Sequence, residues 1–290
     1  MLTQDQIDFY HENGYLGVEG VFSPQEVAEL QRVTDEFVEK SRQVTEHTDA
    51  FDLEPGHTPE EPRLRRLKNP ILHHPVYDQA LRHAKVLDIV EQLIGPGVRT
   101  NGNKLNLKSA GFGSPVEWHQ DIYFYPHTND DILAVGIAID DMRLENGPLL
   151  VIPGSHKGRM YSHHQDGVFV GAVTEAVAEA DQAVPIELKA GGISIHHARI
   201  LHASSPNVSD RPRRLLLFQY CSADSWPLMG LPNWDAFKAS FLRGEPSLFP
   251  RMENIPTAIP LPPPERVGSI YEIQAQLKNA NKIMAQAGGE

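Results

Sequence analysis

The chain has 290 residues, 40% hydrophobic and 22% charged, the balance of an ordinary folded protein with a sizeable core. Its single cysteine, Cys221, excludes an internal disulfide framework and a cysteine-rich zinc module. With 26 basic against 38 acidic residues the formal charge is −12, which disfavours general binding to nucleic acid or to an anionic membrane. Fourteen histidines stand out, so any bound metal must rest on histidine and carboxylate.

In chain order, the first 45 residues read as helical. Thr3 with Gln6, and Ser23 with Glu26, fit capping boxes that satisfy two orphan backbone donors reciprocally. Pro24 occupies the first helical position, and Leu30, Val33, Phe37 and Val38 keep helical spacing behind it. Residues 15–19 between these helices suit a short strand. Residues 46–63 are polar and proline-bearing, the pattern of a mobile loop, and a basic cluster follows at Arg63, Arg65, Arg66 and Lys68. One helix is expected from Val76 to Ile94, ended by Gly95-Pro96-Gly97. From Val98 to Tyr220 the texture changes to short apolar runs, at 132–139, 149–152, 193–195 and 215–218. Turn residues bound each run, which predicts a β-sandwich or barrel. The tail offers a helix near 234–242, a proline-rich stretch around 260–264 and a closing helix from Ile270. The expected organisation is one domain over 1–290: a helical N-terminal region over 1–97, a β core over about 98–222, and an extension over 223–290. No run of about 18 apolar residues predicts a membrane span, and neither end carries a targeting pattern, so a reducing cytoplasm is the expected compartment.

A mononuclear non-haem iron(II) site takes two histidines and one carboxylate on one face of the metal. A His-x-Asp pair on a strand suits this, since residues i and i+2 point to the same side. Fourteen histidines and 17 aspartates placed at random give about 0.8 such pairs, and the chain has three, so two are expected accidents. His47-Thr48-Asp49 falls in the polar loop, and His164-Gln165-Asp166 in a hydrophilic stretch without strand pattern. His119-Gln120-Asp121 sits among Trp118, Ile122, Tyr123, Phe124 and Tyr125, able to form the dry wall a reactive metal needs. The third ligand is then His196, His197 or His202. Arg213, eleven residues after His202, opens an apolar strand and offers a fork that matches a carboxylate bidentately. Pro153-Gly154-Ser155-His156 and Glu145-Asn146-Gly147-Pro148 read as turns, His156 as scaffold and Cys221 as an inert core thiol.

In Trp118-His119-Gln120-Asp121, Leu144-Glu145-Asn146-Gly147-Pro148-Leu149, Val151-Ile152-Pro153-Gly154-Ser155-His156-Lys157-Gly158 and the block from His202 to Arg214, the chain resembles the phytanoyl-CoA dioxygenase family of iron(II)- and 2-oxoglutarate-dependent oxygenases. The resemblance spans about residues 3–223. It implies a double-stranded β-helix, a jelly-roll barrel that is mainly β with flanking helices. It implies iron on His119, Asp121 and His202, and the far carboxylate of 2-oxoglutarate on Arg213 with Ser204 beside it. Lys104 and Arg65 occupy places where the family puts further co-substrate contacts, Lys108 is another polar candidate, and Arg214 competes with Arg213 by a one-residue register slip. Iron halogenases of this kind lack the carboxylate, so Asp121 favours hydroxylation or a related oxidation. The implied reaction oxidises a small molecule with oxygen and 2-oxoglutarate, releasing succinate and carbon dioxide. Tyr123, Phe124, Tyr125 and Trp226 are the expected pocket wall and 46–63 an expected lid. A cupin-like metalloenzyme without 2-oxoglutarate and a non-catalytic jelly-roll binding protein are the competing readings.

Overall fold

The computed structural model describes residues 1–231, 233–265 and 268–278. Two helices, α1 (Gln4–Asn13) and α2 (Pro24–Lys40), begin on the two capping boxes, with β1 (Tyr15–Val18) between them. Val27, Leu30, Val33 and Phe37 make one buried stripe on α2, the amphipathic pattern of a helix lying on a sheet.

The stretch expected as a loose loop contains β2 (Phe51–Leu53), which pairs with β3 (Leu64–Lys68). Its polarity misleads because its acids are satisfied inside. Asp52 is buried against Arg65 at 2.7 Å, and the buried Glu54 accepts from the Ser114 amide at 2.8 Å. The helix expected over 76–94 is two, α3 (Pro75–Leu81) and α4 (Ala84–Ile94). The chain turns extended at His83, whose ring packs on Phe22 at 4.4 Å and whose Nε2 lies 3.3 Å from Glu26. That tertiary contact breaks the helix, with no proline or glycine at the break.

The strands that follow are β4 (Val98–Lys108), β5 (Val116–His119), β6 (Ile132–Ala138), β7 (Leu149–Val151), β8 (His164–Gln165), β9 (Val168–Phe169), β10 (Val184–Ile186), β11 (Ile193–His197), β12 (His202–Ser204) and β13 (Arg213–Ser222). In the tail, α5 (Trp234–Ala239) stops short of the expected 242. The chain then forms β14 (Phe241–Arg243) against β4, before α6 (Ile270–Gln274). Among the described residues the sheets are an eight-stranded one, in the order β1-β11-β6-β13-β4-β3-β2 with β14 added on β4, and a four-stranded one, β10-β7-β12-β5. Together they make the jelly roll, and strands from the first 97 residues complete its larger sheet.

Alternation on the larger sheet decides where everything else goes. Leu105, Leu107, Val135, Ile137, Leu216 and Phe218 form one apolar cluster with the helices. Each such burial is worth about 1.5–3 kcal/mol, so this face carries the fold. The opposite face is small or polar, with Lys104, Asn106, Gly136, Ser194, His196 and Arg213, and it encloses the site. No described helix is long and apolar enough to cross a membrane.

Candidate metal centre and its two chambers

β5 ends on His119, and Asp121 opens a short 3-10 turn (Asp121–Tyr123), so the strand expected to carry both stops between them. The turn is pinned from two sides: the Ile122 amide donates to Ala198 O at 2.8 Å and the Gln120 amide to His163 Nε2 at 2.9 Å. β12 begins on His202, the direct cross-strand partner of His119, which brings the ring centroids to 4.0 Å. One ligand atom from each of His119, Asp121 and His202 lies within 4.8 Å of the other two. His119 Nε2 is 3.6 Å and His202 Nε2 3.9 Å from the same Asp121 oxygen, spacings that a shared ion about 2 Å from each ligand accepts.

Protonation states suit a metal too. His119 Nδ1 donates to Glu117 O at 2.8 Å and His202 Nδ1 to Ile200 O at 3.0 Å. A carbonyl only accepts, so each ring presents the Nε2 lone pair inward. Burial pushes His119 down to about 4 and His202 well below the usual histidine range. Burial alone would raise Asp121, but Lys104 and the imidazoles of His196, His202 and His119 outweigh it and hold the carboxyl well below its ordinary value. Neutral imidazoles beside an ionised carboxylate are the forms that ligate.

Of the other candidates, His196 stands behind Asp121 at 3.6 Å, while His197 faces Asp130 at 3.9 Å on the far side of β11. His47 lies 3.2 Å from Asp52, and Asp166 pairs with Lys278 at 2.9 Å, so neither remaining His-x-Asp pair joins the triad. His156 Nε2 lies 3.3 Å from His11 O, packed against Gly14 as scaffold.

Behind the triad, between the two sheets, lies an inner cleft lined by His119, His202, Ser204, Arg213, Leu215 and Tyr271. Arg213 is 2% exposed, and its Nε and Nη2 donate to Gly147 O at 3.1 and 2.8 Å. Burial lowers its pKa to about 10, which leaves it charged at neutral pH. Gly147 has φ +74°, and a Cβ there would sit 2.3 Å from Ser205 O, so the turn that holds Arg213 needs glycine. Lys108 Nζ donates to Ser204 Oγ at 2.9 Å. Arg214 points to the opposite face, where it grips Asp140 through Nε and Nη2 at 2.7 and 2.6 Å.

On the other side of Asp121 is an outer chamber of about 210 Å³. Lys104 lines both spaces, and Phe124 and Tyr125 line the outer one as expected. Tyr123 instead stacks on His163 at 3.9 Å, and Trp226 packs on Phe237 at 4.8 Å in the tail. Arg65 is not brought to either space. Its guanidinium pairs with Asp52 and lies over the Tyr271 ring at 4.4 Å. Its neighbour Arg66 lines the outer chamber, with Asn103 and Gln219. Gln219 was readable as the continuation of the Arg213-Leu215-Leu217 alternation; Arg66 and Tyr271 left no such signal.

A jelly roll that converges two histidines and an aspartate beside a buried arginine defines a mononuclear metal oxygenase. The model of the phytanoyl-CoA dioxygenase family matches residues 10–215, and the chain belongs to this family of iron(II)- and 2-oxoglutarate-dependent oxygenases. It is 35% identical over 276 residues to a probable alpha-ketoglutarate-dependent hypophosphite dioxygenase from Stutzerimonas stutzeri, covering 92% of this chain and 96% of the relative. An ectoine dioxygenase from Bordetella parapertussis is 24% identical over 249 residues, 77% of each chain. Among solved structures, EctD from S. alaskensis with bound iron matches at TM-score 0.64 and 22% identity, covering 77% of both chains. The carbocyclase SnoK from nogalamycin biosynthesis matches at TM-score 0.63 and 23% identity, over 85% of this chain and 93% of that one. These structural likenesses carry the fold.

Proposed function

We propose that His119, Asp121 and His202 hold the ferrous ion, that Arg213 with Ser204 receives the far carboxylate of 2-oxoglutarate, and that the enzyme hydroxylates, or otherwise oxidises, a small molecule in the outer chamber. The observation that carries this reading is Arg213. It is a buried cation whose hydrogen bonds go to one carbonyl, in the same cleft as the triad, and among the described residues no carboxylate lies within ion-pair reach. A buried charge without a counter-ion is costly, and a dicarboxylate co-substrate supplies one. This favours a 2-oxoglutarate enzyme over a cupin-like metalloenzyme that uses the triad alone, and over a non-catalytic binding protein.

Bound iron with 2-oxoglutarate supplies an oxidant from molecular oxygen, with succinate and carbon dioxide as co-products. The protein's share is positioning. The carbonyls of Glu117 and Ile200 fix the imidazole planes, and His196 Nε2 stands 3.6 Å from the second oxygen of Asp121. Gly147 O aims the Arg213 fork. Phe124 and Tyr125 keep the substrate side dry, which confines oxidation to one placed bond. The relatives' names, hypophosphite and ectoine dioxygenase, point to small substrates, and that size class is what we carry over.

The test is anaerobic titration with iron(II) and 2-oxoglutarate, followed through the visible charge-transfer band of the chelate. Wild type should develop the band, His119→Ala should lose it, and Arg213→Ala should need far more 2-oxoglutarate. No band in wild type sinks the reading.

A further inference from the structure

The outer chamber is small and polar, and its chemistry is legible. At about 210 Å³ it has room for roughly seven waters at about 30 Å³ each, below the range of about 300 Å³ and upward that suits drug-sized ligands. Phe124, Ile270 and Ile273 give it apolar lining, and Arg66, Lys104 and Gln219 bring donors.

The charges are one-sided. β3 pairs with β4 so that Arg66 lies opposite Asn106 and Lys68 opposite Lys104. Arg66 and Lys104 are therefore diagonal neighbours on the same face, within reach of one ligand. Neither makes a hydrogen bond or ion pair within 4 Å to any described residue, and Arg66 Nε is buried without a partner. Asp121 is the one acidic side chain among the described residues lining either space, and iron claims it in the reading above. With Asp121 committed to the metal, two cations converge without a carboxylate of their own in a chain of net charge −12. Partial burial holds both below their usual pKa values. Two neighbouring arginines outside the two spaces are neutralised: Arg65 has Asp52 and Arg214 has Asp140.

We infer that the outer chamber binds its substrate as a compact oxyanion, a molecule of few heavy atoms bearing a phosphonate or carboxylate group held between Arg66 and Lys104. The anion is the missing counter-charge for the pair, and the amide of Gln219, on the same face of the sheet, is near enough to donate to a remaining oxygen. The apolar side at Phe124 and Ile270 accommodates the rest of a short substrate. The inference rests on the proposed function for the reaction, while the binding chemistry is separable from it.

The experiment uses protein saturated anaerobically with iron(II) and 2-oxoglutarate, so that Arg213 is occupied. Calorimetric titration compares methylphosphonate, acetate and uncharged dimethyl methylphosphonate. At least one anion should bind, and the neutral ester should bind at least about tenfold more weakly, since hydrogen bonds to charged groups are the strong ones. The tighter anion tells phosphonate from carboxylate. Arg66→Gln and Lys104→Met should each weaken anion binding about tenfold or more, and Arg66→Lys should restore some of it. The chelate band in Arg66→Gln shows that the variant is folded and loaded. Equal binding of the neutral ester, or full anion affinity in a band-positive Arg66→Gln, overturns the inference and leaves the oxygenase reading standing. Absence of the band in wild type overturns that reading instead.

Discussion

The two spaces that meet at Asp121 are built on opposite terms. In the inner cleft three of the functional side chains are held by backbone: His119 by Glu117 O, His202 by Ile200 O, Arg213 by Gly147 O. In the outer chamber Arg66 and Lys104 are held by no hydrogen bond to a described residue, and the walls come partly from an edge region, β3, and from α6 in the tail. Groups pinned before the ligand arrives suit a partner that never changes, the metal and its co-substrate. Groups left without partners suit the ligand that differs between enzymes of one fold. On the proposed reading, chemistry is fixed in one space and selectivity set in the other.

The sharpest way to break that division is at the paired arginines. Arg213→Met should raise the 2-oxoglutarate concentration for half-maximal turnover by about 10–100-fold, the value of a charge-assisted hydrogen bond, whichever substrate is used. Arg214→Met should leave that concentration in place. Its effect is on stability, about 3 kcal/mol, because Asp140 loses a mostly buried partner, and a denaturant midpoint reads it. A similar rise in both variants would mean that the two faces of β13 are not separate in function.

The same strand shows what was legible in the sequence. Arg213, Leu215 and Leu217 face the site while Arg214, Leu216 and Phe218 face away. A period of two carries that distinction once one residue is anchored, but the residues alone left His196, His197 and His202 open as third ligand and Arg214 in competition with Arg213; the family resemblance chose His202 and Arg213. The turn-bounded apolar runs gave a sandwich or barrel, and the family resemblance narrowed it to the jelly roll. The outer chamber was legible in neither. Arg66 lies in a charged run that reads as solvated, and its orientation depends on the register of β3 against β4, a long-range pairing with no local signal. Arg65, one residue away, turns to Asp52 for the same reason. Asp52 and Glu54 misled in the same way, being acids whose partners are distant in sequence. Tyr271 reaches the cleft from a helix far along the tail, which periodicity cannot place.

Gly147 offers a finer cut. Alanine there meets both the positive φ and the Ser205 carbonyl, so the turn must shift and carry the Arg213 anchor with it. The expected result is a loss of 2-oxoglutarate affinity of about tenfold, the value of one such hydrogen bond, with a stability cost of about 1–3 kcal/mol. Anion affinity of the outer chamber, measured at saturating 2-oxoglutarate, should stay within about twofold, since sites without shared partners add independently. Coupled losses in both titrations would show the spaces to be one mechanical unit.

The smallest expected effect lies under the outer wall. His127 Nδ1 donates to the carbonyl of Tyr125 at 2.8 Å, and its Nε2 accepts from Arg99 at 2.5 Å, so the ring is neutral with both nitrogens in use. Burial and the Arg99 guanidinium bring its pKa down to about 4. The unfolded ring titrates near about 6.5, so between these values the unfolded chain takes up a proton that the folded one does not. Stability therefore falls as pH drops from about 6.5 to about 4, by at most roughly 3 kcal/mol from this residue. His127→Gln should start less stable at pH 7 but lose less on acidification, its curve shallower by up to about one proton in that window. Thermal midpoints taken at half-unit steps from pH 7 to 4.5 read the difference. An unchanged slope would trace the acid lability to the other buried histidines, His119, His163, His197 and His202, and away from the wall that shapes the substrate.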